Sequence, residues 1–152
     1  MSNRILINSE SDMINLGKKL VDSFYPGDLV ILEGAVGAGK TTLTKGIALG
    51  MGISDEVTSP TFVISRVHSN QTGKPDLVHV DAYRLSSIAE VESLDLESSL
   101  DNAITVVEWG TGLIEGLTDE SWLIKIYRDT TSDESRRDVE IIPPKNRKVL
   151  LA

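Results

Sequence analysis

Gly34-Ala35-Val36-Gly37-Ala38-Gly39-Lys40-Thr41 is the stretch whose reading decides the fold. It satisfies G-x-x-x-x-G-K-[ST], the spacing at which a glycine-rich turn lines backbone N–H groups around a phosphate. Upstream, Leu29-Val30-Ile31-Leu32 is an apolar, branched run of the kind buried in parallel sheets. Downstream, residues 42–49 predict a helix that ends at Gly50. Strand, turn and helix in that order aim a helix N-terminus, worth roughly half a positive charge, at an anion. Lys40 would reach the β- and γ-phosphates, and the Thr41 hydroxyl would join the shell of a Mg²⁺ ion. The implied ligand is a nucleoside triphosphate. A glycine-rich turn with an exposed lysine is the bland alternative, and the flanking strand and helix weigh against it.

Composition narrows the rest. A chain of 152 residues that is 40% hydrophobic can bury one sizeable core, so residues 1–152 are expected to form a single domain. Cysteine is absent, which excludes disulfides, thiolate catalysis and cysteine-ligated zinc. With two histidines, a histidine-based zinc site has little support either. Residues 1–8 lack the apolar core and cleavage site of a secretory signal, and no apolar run approaches a membrane span. A soluble cytoplasmic protein is expected. The net charge of −8 repels phosphate backbones, so direct contact with DNA or RNA is disfavoured. Any service to nucleic acid would pass through a partner protein.

Taken in order, the chain predicts a short strand at residues 5–7. Helix-start chemistry follows at Ser9-Glu10-Ser11-Asp12, with Ile14, Leu16, Leu20, Val21 and Phe24 at nearly helical spacing. Residues 62–68 and 76–80 flank a polar turn and predict a β-hairpin. Residues 89–100 suggest one or two short helices, and residues 103–107 a second central strand. Residues 122–127 and 139–142 look like an antiparallel pair, with residues 148–151 as a last strand. The fold class is therefore α/β, a central sheet of mixed parallel and antiparallel strands flanked by helices.

A phosphate loop works with an acid at the end of a neighbouring strand. Two runs qualify: Leu77-Val78-His79-Val80-Asp81 and Ile104-Thr105-Val106-Val107-Glu108 each lead from apolar residues into a carboxylate. One can serve the metal shell and the other the attacking water, and residue type alone does not assign them. Ser59-Pro60-Thr61 occupies the place where nucleotide switches carry a threonine to the γ-phosphate, although an ordinary proline loop reads the same way. His79, inside its strand, reads as an interior histidine. Trp109 either fills core or stacks on a base. Neither Asn-Lys-x-Asp nor D-x-x-G is present, which disfavours a Ras-like GTPase, and no arginine-rich lid of a small-molecule kinase is obvious.

The loop Gly34–Thr42, then Thr58-Ser59-Pro60-Thr61-Phe62, His79-Val80-Asp81-Ala82-Tyr83-Arg84-Leu85 and Val107-Glu108-Trp109 together resemble the TsaE (YjeE) family. That is the P-loop ATPase family of bacterial tRNA threonylcarbamoyladenosine modification. The resemblance spans nearly the whole chain. It implies a P-loop NTPase domain that binds ATP and Mg²⁺, hydrolyses ATP weakly alone, and works with the TsaB–TsaD pair, meeting tRNA only through that complex. Gly37, Ala38, Gly39, Lys40, Thr41 and Thr42 would then hold the phosphates, and Thr41 with Glu108 would hold Mg²⁺. Asp81 would lie near the γ-phosphate as a base or water-orienting group, and Thr61 would belong to a switch-like loop. Base contacts are implied around Ser9–Ser11, with Ser11 the named candidate, and through a late arginine assigned to Arg136. Trp109 follows the metal acid, and Gly110 stands where proline is frequent in the family. A small-molecule kinase and a nucleotide-gated binding module with negligible hydrolysis are the competing readings.

Overall fold

The structure, a computed structural model, describes residues 3–35, 37–53, 65–70, 75–81, 103–109, 121–128 and 136–150, with backbone alone at Ser65, Arg66, Asp81 and Trp109. Seven strands follow in chain order: β1 (Asn3–Ile7), β2 (Leu29–Glu33), β3 (Ser65–His68), β4 (Asp76–Asp81), β5 (Ala103–Trp109), β6 (Trp122–Arg128) and β7 (Arg137–Ile142). They form one sheet in the spatial order β1-β7-β6-β2-β5-β4-β3. The middle is parallel, with β2 between β6 and β5 and β4 beyond β5. Both margins are antiparallel, β3 on β4 at one side and β7 then β1 at the other. The expected mixed α/β sheet is the one found.

Sequence pattern and strand position agree. Val30, Ile31 and Leu32 of β2 are 0–1% exposed, an unbroken apolar run because both faces of a central parallel strand are covered. In β6, Trp122, Ile124 and Ile126 are buried while Leu123 and Lys125 are half-buried, the alternation of a strand with one core face. Two helices are described, α1 (Glu10–Leu20) and α2 (Lys40–Gly50). Ser9 caps α1, its hydroxyl accepting from the Asp12 amide at 3.1 Å. Glu10 and Asp12 in the first turn and Lys18 and Lys19 in the last suit the helix dipole. Its buried residues Met13, Leu16, Gly17 and Leu20 recur at helical spacing and meet α2. The approach is close: a Cβ on Gly17 would lie 2.6 Å from the Leu43 carbonyl oxygen, and one on Gly46 would strike the Ile14 backbone. Glycine at this crossing lets the middle of α1 lie directly against the phosphate-loop helix.

The residues just before β2 are tied to the C-terminal segment. Asp28 Oδ2 accepts from the Tyr25 amide at 2.8 Å, the Trp122 indole at 3.1 Å and Arg147 Nη2 at 2.8 Å, while Oδ1 accepts from Arg147 Nη1 at 3.1 Å. The Arg147 guanidinium also stacks 3.7 Å over the Tyr25 ring. Its hydrogen bonds to Asp28, with the Asp28 charge behind them, hold its pKa above the usual arginine range against the opposing effect of burial.

Two sequence expectations need correction. Residues 148–150 form no strand. Val149 packs on the core instead, and the Leu150 amide donates to Ser23 Oγ at 2.7 Å, so this apolar signal reports docking of a tail. The helix of the phosphate loop begins at Lys40, two residues earlier than the apolar pattern indicates, because Gly39 supplies the helix-start conformation. The helices expected in residues 89–100 and the Ser59-Pro60-Thr61 loop lie outside the described residues. No described helix is long and apolar enough to cross a membrane.

Candidate nucleotide site

Parallel α/β sheets bind ligands outside the carboxyl ends of their strands. Here three such ends meet. The loop leaves β2 after Glu33, Leu32 pairs with Glu108 of β5, and Glu108 pairs with Asp81 at the end of β4. Gly37 and Gly39 have φ of 81° and 116°, left-handed values that side-chain-bearing residues rarely adopt. Gly39 is also the cap residue of α2 and has no side chain to occupy the first amides of that helix. Those amides therefore face the loop as an anion-binding end.

Lys40 is 5% exposed, and its ammonium donates to the Gly34 carbonyl at 2.6 Å and the Ala35 carbonyl at 3.0 Å. It lies curled inside the loop, where a phosphate would meet it. The Thr41 hydroxyl lies 3.0 and 3.1 Å from the two carboxylate oxygens of Glu108. On the far side of that carboxylate, His79 Nε2 pairs with Glu108 Oε2.

Glu108 is 5% exposed and has no lysine or arginine partner among the described residues. A buried carboxylate without a protein cation calls for a positive charge from elsewhere. One threonine hydroxyl beside one carboxylate fits Mg²⁺, which takes few protein ligands and fills its shell with phosphate oxygens and water. A closed site built from three or more histidine and acidic ligands is not present among the described residues.

A cavity adjoins the loop, lined by Ile7, Ser9, Glu10, Met13, Gly37, Ala38, Gly39, Thr42 and Arg137. Ile7 and Met13 provide its apolar surface, and Ser9, Glu10, Thr42 and Arg137 its polar edge. That mixture suits a base and sugar extending from a phosphate held by the loop.

With this geometry in place, the comparisons with known proteins are decisive. The family model described as threonylcarbamoyl adenosine biosynthesis protein TsaE matches residues 7–139. The chain belongs to the TsaE family. Among TsaE relatives, the tRNA threonylcarbamoyladenosine biosynthesis protein TsaE of Streptomyces coelicolor is 51% identical over 127 residues, 82% of this chain and 86% of that protein. Its counterpart in Bacillus subtilis is 38% identical over 134 residues, 88% of this chain and 81% of that protein. The crystal structure of Bacillus subtilis YdiB superposes with a TM-score of 0.75 at 30% identity, over 96% of this chain and 88% of that one. The TsaE match covers β2, the loop and β5 together, so fold and family rest on the same residues.

The residues named from sequence fall into four groups. Lys40, Thr41 and Glu108 come together, and Gly37, Ala38, Gly39 and Thr42 line the adjoining cavity. Asp81 is placed by its backbone beside Glu108, and Trp109 follows Glu108 in β5. Thr61 lies outside the described residues. Two named residues lie a step or two along the chain from ones that line the cavity. Ser11 is exposed and does not line the cavity, whereas Ser9 and Glu10 do. Arg136 is exposed, and it is Arg137 that lines the cavity, donating from Nε to the Ala38 carbonyl at 2.9 Å and from Nη2 to the Gly37 carbonyl at 3.3 Å. Strand alternation contained that signal: Val139 and Ile141 are buried, and period two puts residue 137 on their side of β7.

Proposed function

We propose that this chain binds ATP with Mg²⁺ and hydrolyses it, slowly alone and faster with TsaB and TsaD, in cytoplasmic tRNA threonylcarbamoyladenosine biosynthesis. The observation that carries the reading is the Thr41–Glu108 pair, a hydroxyl 3.0 Å from a buried carboxylate that has no lysine or arginine partner among the described residues, beside a loop that encloses Lys40. The family model and the names of the relatives support the pathway. The net charge of −8 favours a role beside tRNA-binding partners over a grip on tRNA itself.

In this mechanism the loop amides and the start of α2 hold the β- and γ-phosphates, and Lys40 turns from the Gly34 and Ala35 carbonyls onto their oxygens. Bound Mg²⁺ would neutralise phosphate charge as the bond to the leaving oxygen breaks. Thr41 and Glu108 would hold the ion. Asp81 is assigned to orient the water that attacks the γ-phosphorus, on its strand-end position and on the family resemblance. Arg137 braces the loop through the Gly37 and Ala38 carbonyls, keeping their amides turned toward the phosphate.

Titration with a fluorescent ATP analogue, followed by phosphate release with and without TsaB–TsaD, tests this reading. Glu108→Gln is expected to retain nucleotide and lose about a hundredfold in hydrolysis rate, the scale of one transition-state electrostatic contact. Asp81→Asn should also bind and not turn over. Transfer of labelled γ-phosphate to a metabolite would indicate a kinase instead. Tight binding with no hydrolysis, even beside the partners, would indicate a nucleotide-gated module.

A further inference from the structure

The mechanism leaves one buried polar group at the site without a task. His79 is 0% exposed, on β4, two residues before the strand end, and its Nε2 pairs with Glu108 Oε2. We propose that His79 is the positioning residue for Glu108, fixing the carboxylate opposite Thr41 so that one hydroxyl and one carboxylate are presented together to the divalent ion. This rests on the Mg²⁺–ATP reading above.

The argument begins with the strands. β4 and β5 are parallel, His79 pairs in register with Val106, and Glu108 lies two residues further along on the same face as Val106. The imidazole therefore reaches diagonally toward the carboxylate from behind, while Thr41 approaches it from α2. A glutamate side chain has three rotatable bonds, and two donors from different elements leave its carboxylate little freedom.

The ring's second nitrogen identifies the donor. Nδ1 is buried and has no hydrogen-bond partner among the described residues. A bare lone pair is tolerated in such a place far better than an orphaned N–H. Nε2 is therefore the ring nitrogen that donates to Glu108, since a carboxylate accepts.

The test uses the whole chain and reads binding rather than turnover. Affinity for a fluorescent ATP analogue is measured with Mg²⁺ and with EDTA, and the ratio reports the contribution of the ion. Binding of Mn²⁺ to the nucleotide complex is followed by electron paramagnetic resonance. His79→Gln keeps a donor near the position of Nε2, His79→Asn ends too short to reach, and His79→Leu removes the donor. Loss of a residue that orients a metal ligand typically costs tenfold or more in metal affinity. The Asn and Leu variants are thus expected to lose about tenfold of the Mg²⁺ enhancement and of Mn²⁺ affinity. Both should keep their EDTA affinity, and Gln should recover most of the loss. If Leu fails to fold, the contrast between Asn and Gln decides. Equal Mg²⁺ enhancement in all variants, or an equal fall in EDTA and Mg²⁺, overturns the proposal while wild-type Mg²⁺-dependent binding keeps the parent reading intact. Absence of any Mg²⁺ enhancement in the wild type overturns both.

Discussion

Two buried carboxylates stand at opposite ends of the central strands, and their surroundings differ in kind. Asp28, just before β2, is enclosed by protein donors: the Tyr25 amide, the Trp122 indole and both terminal nitrogens of Arg147. Its charge is answered by a guanidinium, and nothing further is required. Glu108, near the end of β5, takes hydrogen bonds from Thr41 and His79. Its charge is not answered by a lysine or arginine of the described protein. The first arrangement closes a fold, and the second is the one that suits the proposed cation. Proteins spend buried charge in both ways, and the partner shows which is which.

The comparison can be broken from either side. Lys40→Ala is expected to lower ATP affinity by about a hundredfold, since charge-assisted hydrogen bonds contribute about 1.5–3 kcal/mol each and the lysine makes several. Thermal unfolding of the unliganded variant should change little, and unaltered ATP affinity would remove the lysine from the site. Asp28→Ala should show the mirror image. It leaves Arg147 and the Trp122 indole without their acceptor and should cost about 3 kcal/mol in urea unfolding, with ATP affinity of the folded protein unchanged. A large loss of affinity there would mean that the two ends are coupled.

The pH dependence of the Asp28 end follows from Arg147. Its folded pKa is raised, so the stability it contributes is fully present below the ordinary arginine value and is lost only as pH climbs through the raised one. The stability difference between wild type and Arg147→Met should therefore be flat from about pH 6 to about pH 9. A slope in that window would point to a different titrating group. Smallest in effect is Ser9→Ala, which removes the α1 cap beside the cavity and should cost about 1 kcal/mol. ATP affinity should stay within about threefold if Ser9 serves the helix more than the ligand. A larger loss would make it a nucleotide contact.

Much of this site was legible in one dimension because its parts are local. The loop needs glycines at Gly37 and Gly39, where φ is positive, and a lysine and threonine at the first helical turn, so a fixed spacing carries the information. The apolar runs into Asp81 and Glu108 were readable as strands for the same reason, since a buried parallel strand is a short continuous hydrophobic stretch. Single-residue placement was less secure. Ser11 and Arg136 are exposed while their near neighbours Ser9, Glu10 and Arg137 line the cavity, because a helix start and a strand face turn on steps of one residue.

By itself, then, the order of residues determined a phosphate loop between a buried strand and a helix, an α/β sheet and a TsaE-like set of motifs. Tertiary structure alone decided which distant groups meet. Asp28 and Arg147 are 119 positions apart and Thr41 and Glu108 are 67 apart, and nothing in the local pattern of either partner names the other. That His79 stands behind Glu108 required the β4–β5 register, and register is a property of two strands pairing. Local spacing encodes backbone conformation, whereas the pairing of charges across the sheet is set by how the strands are laid side by side.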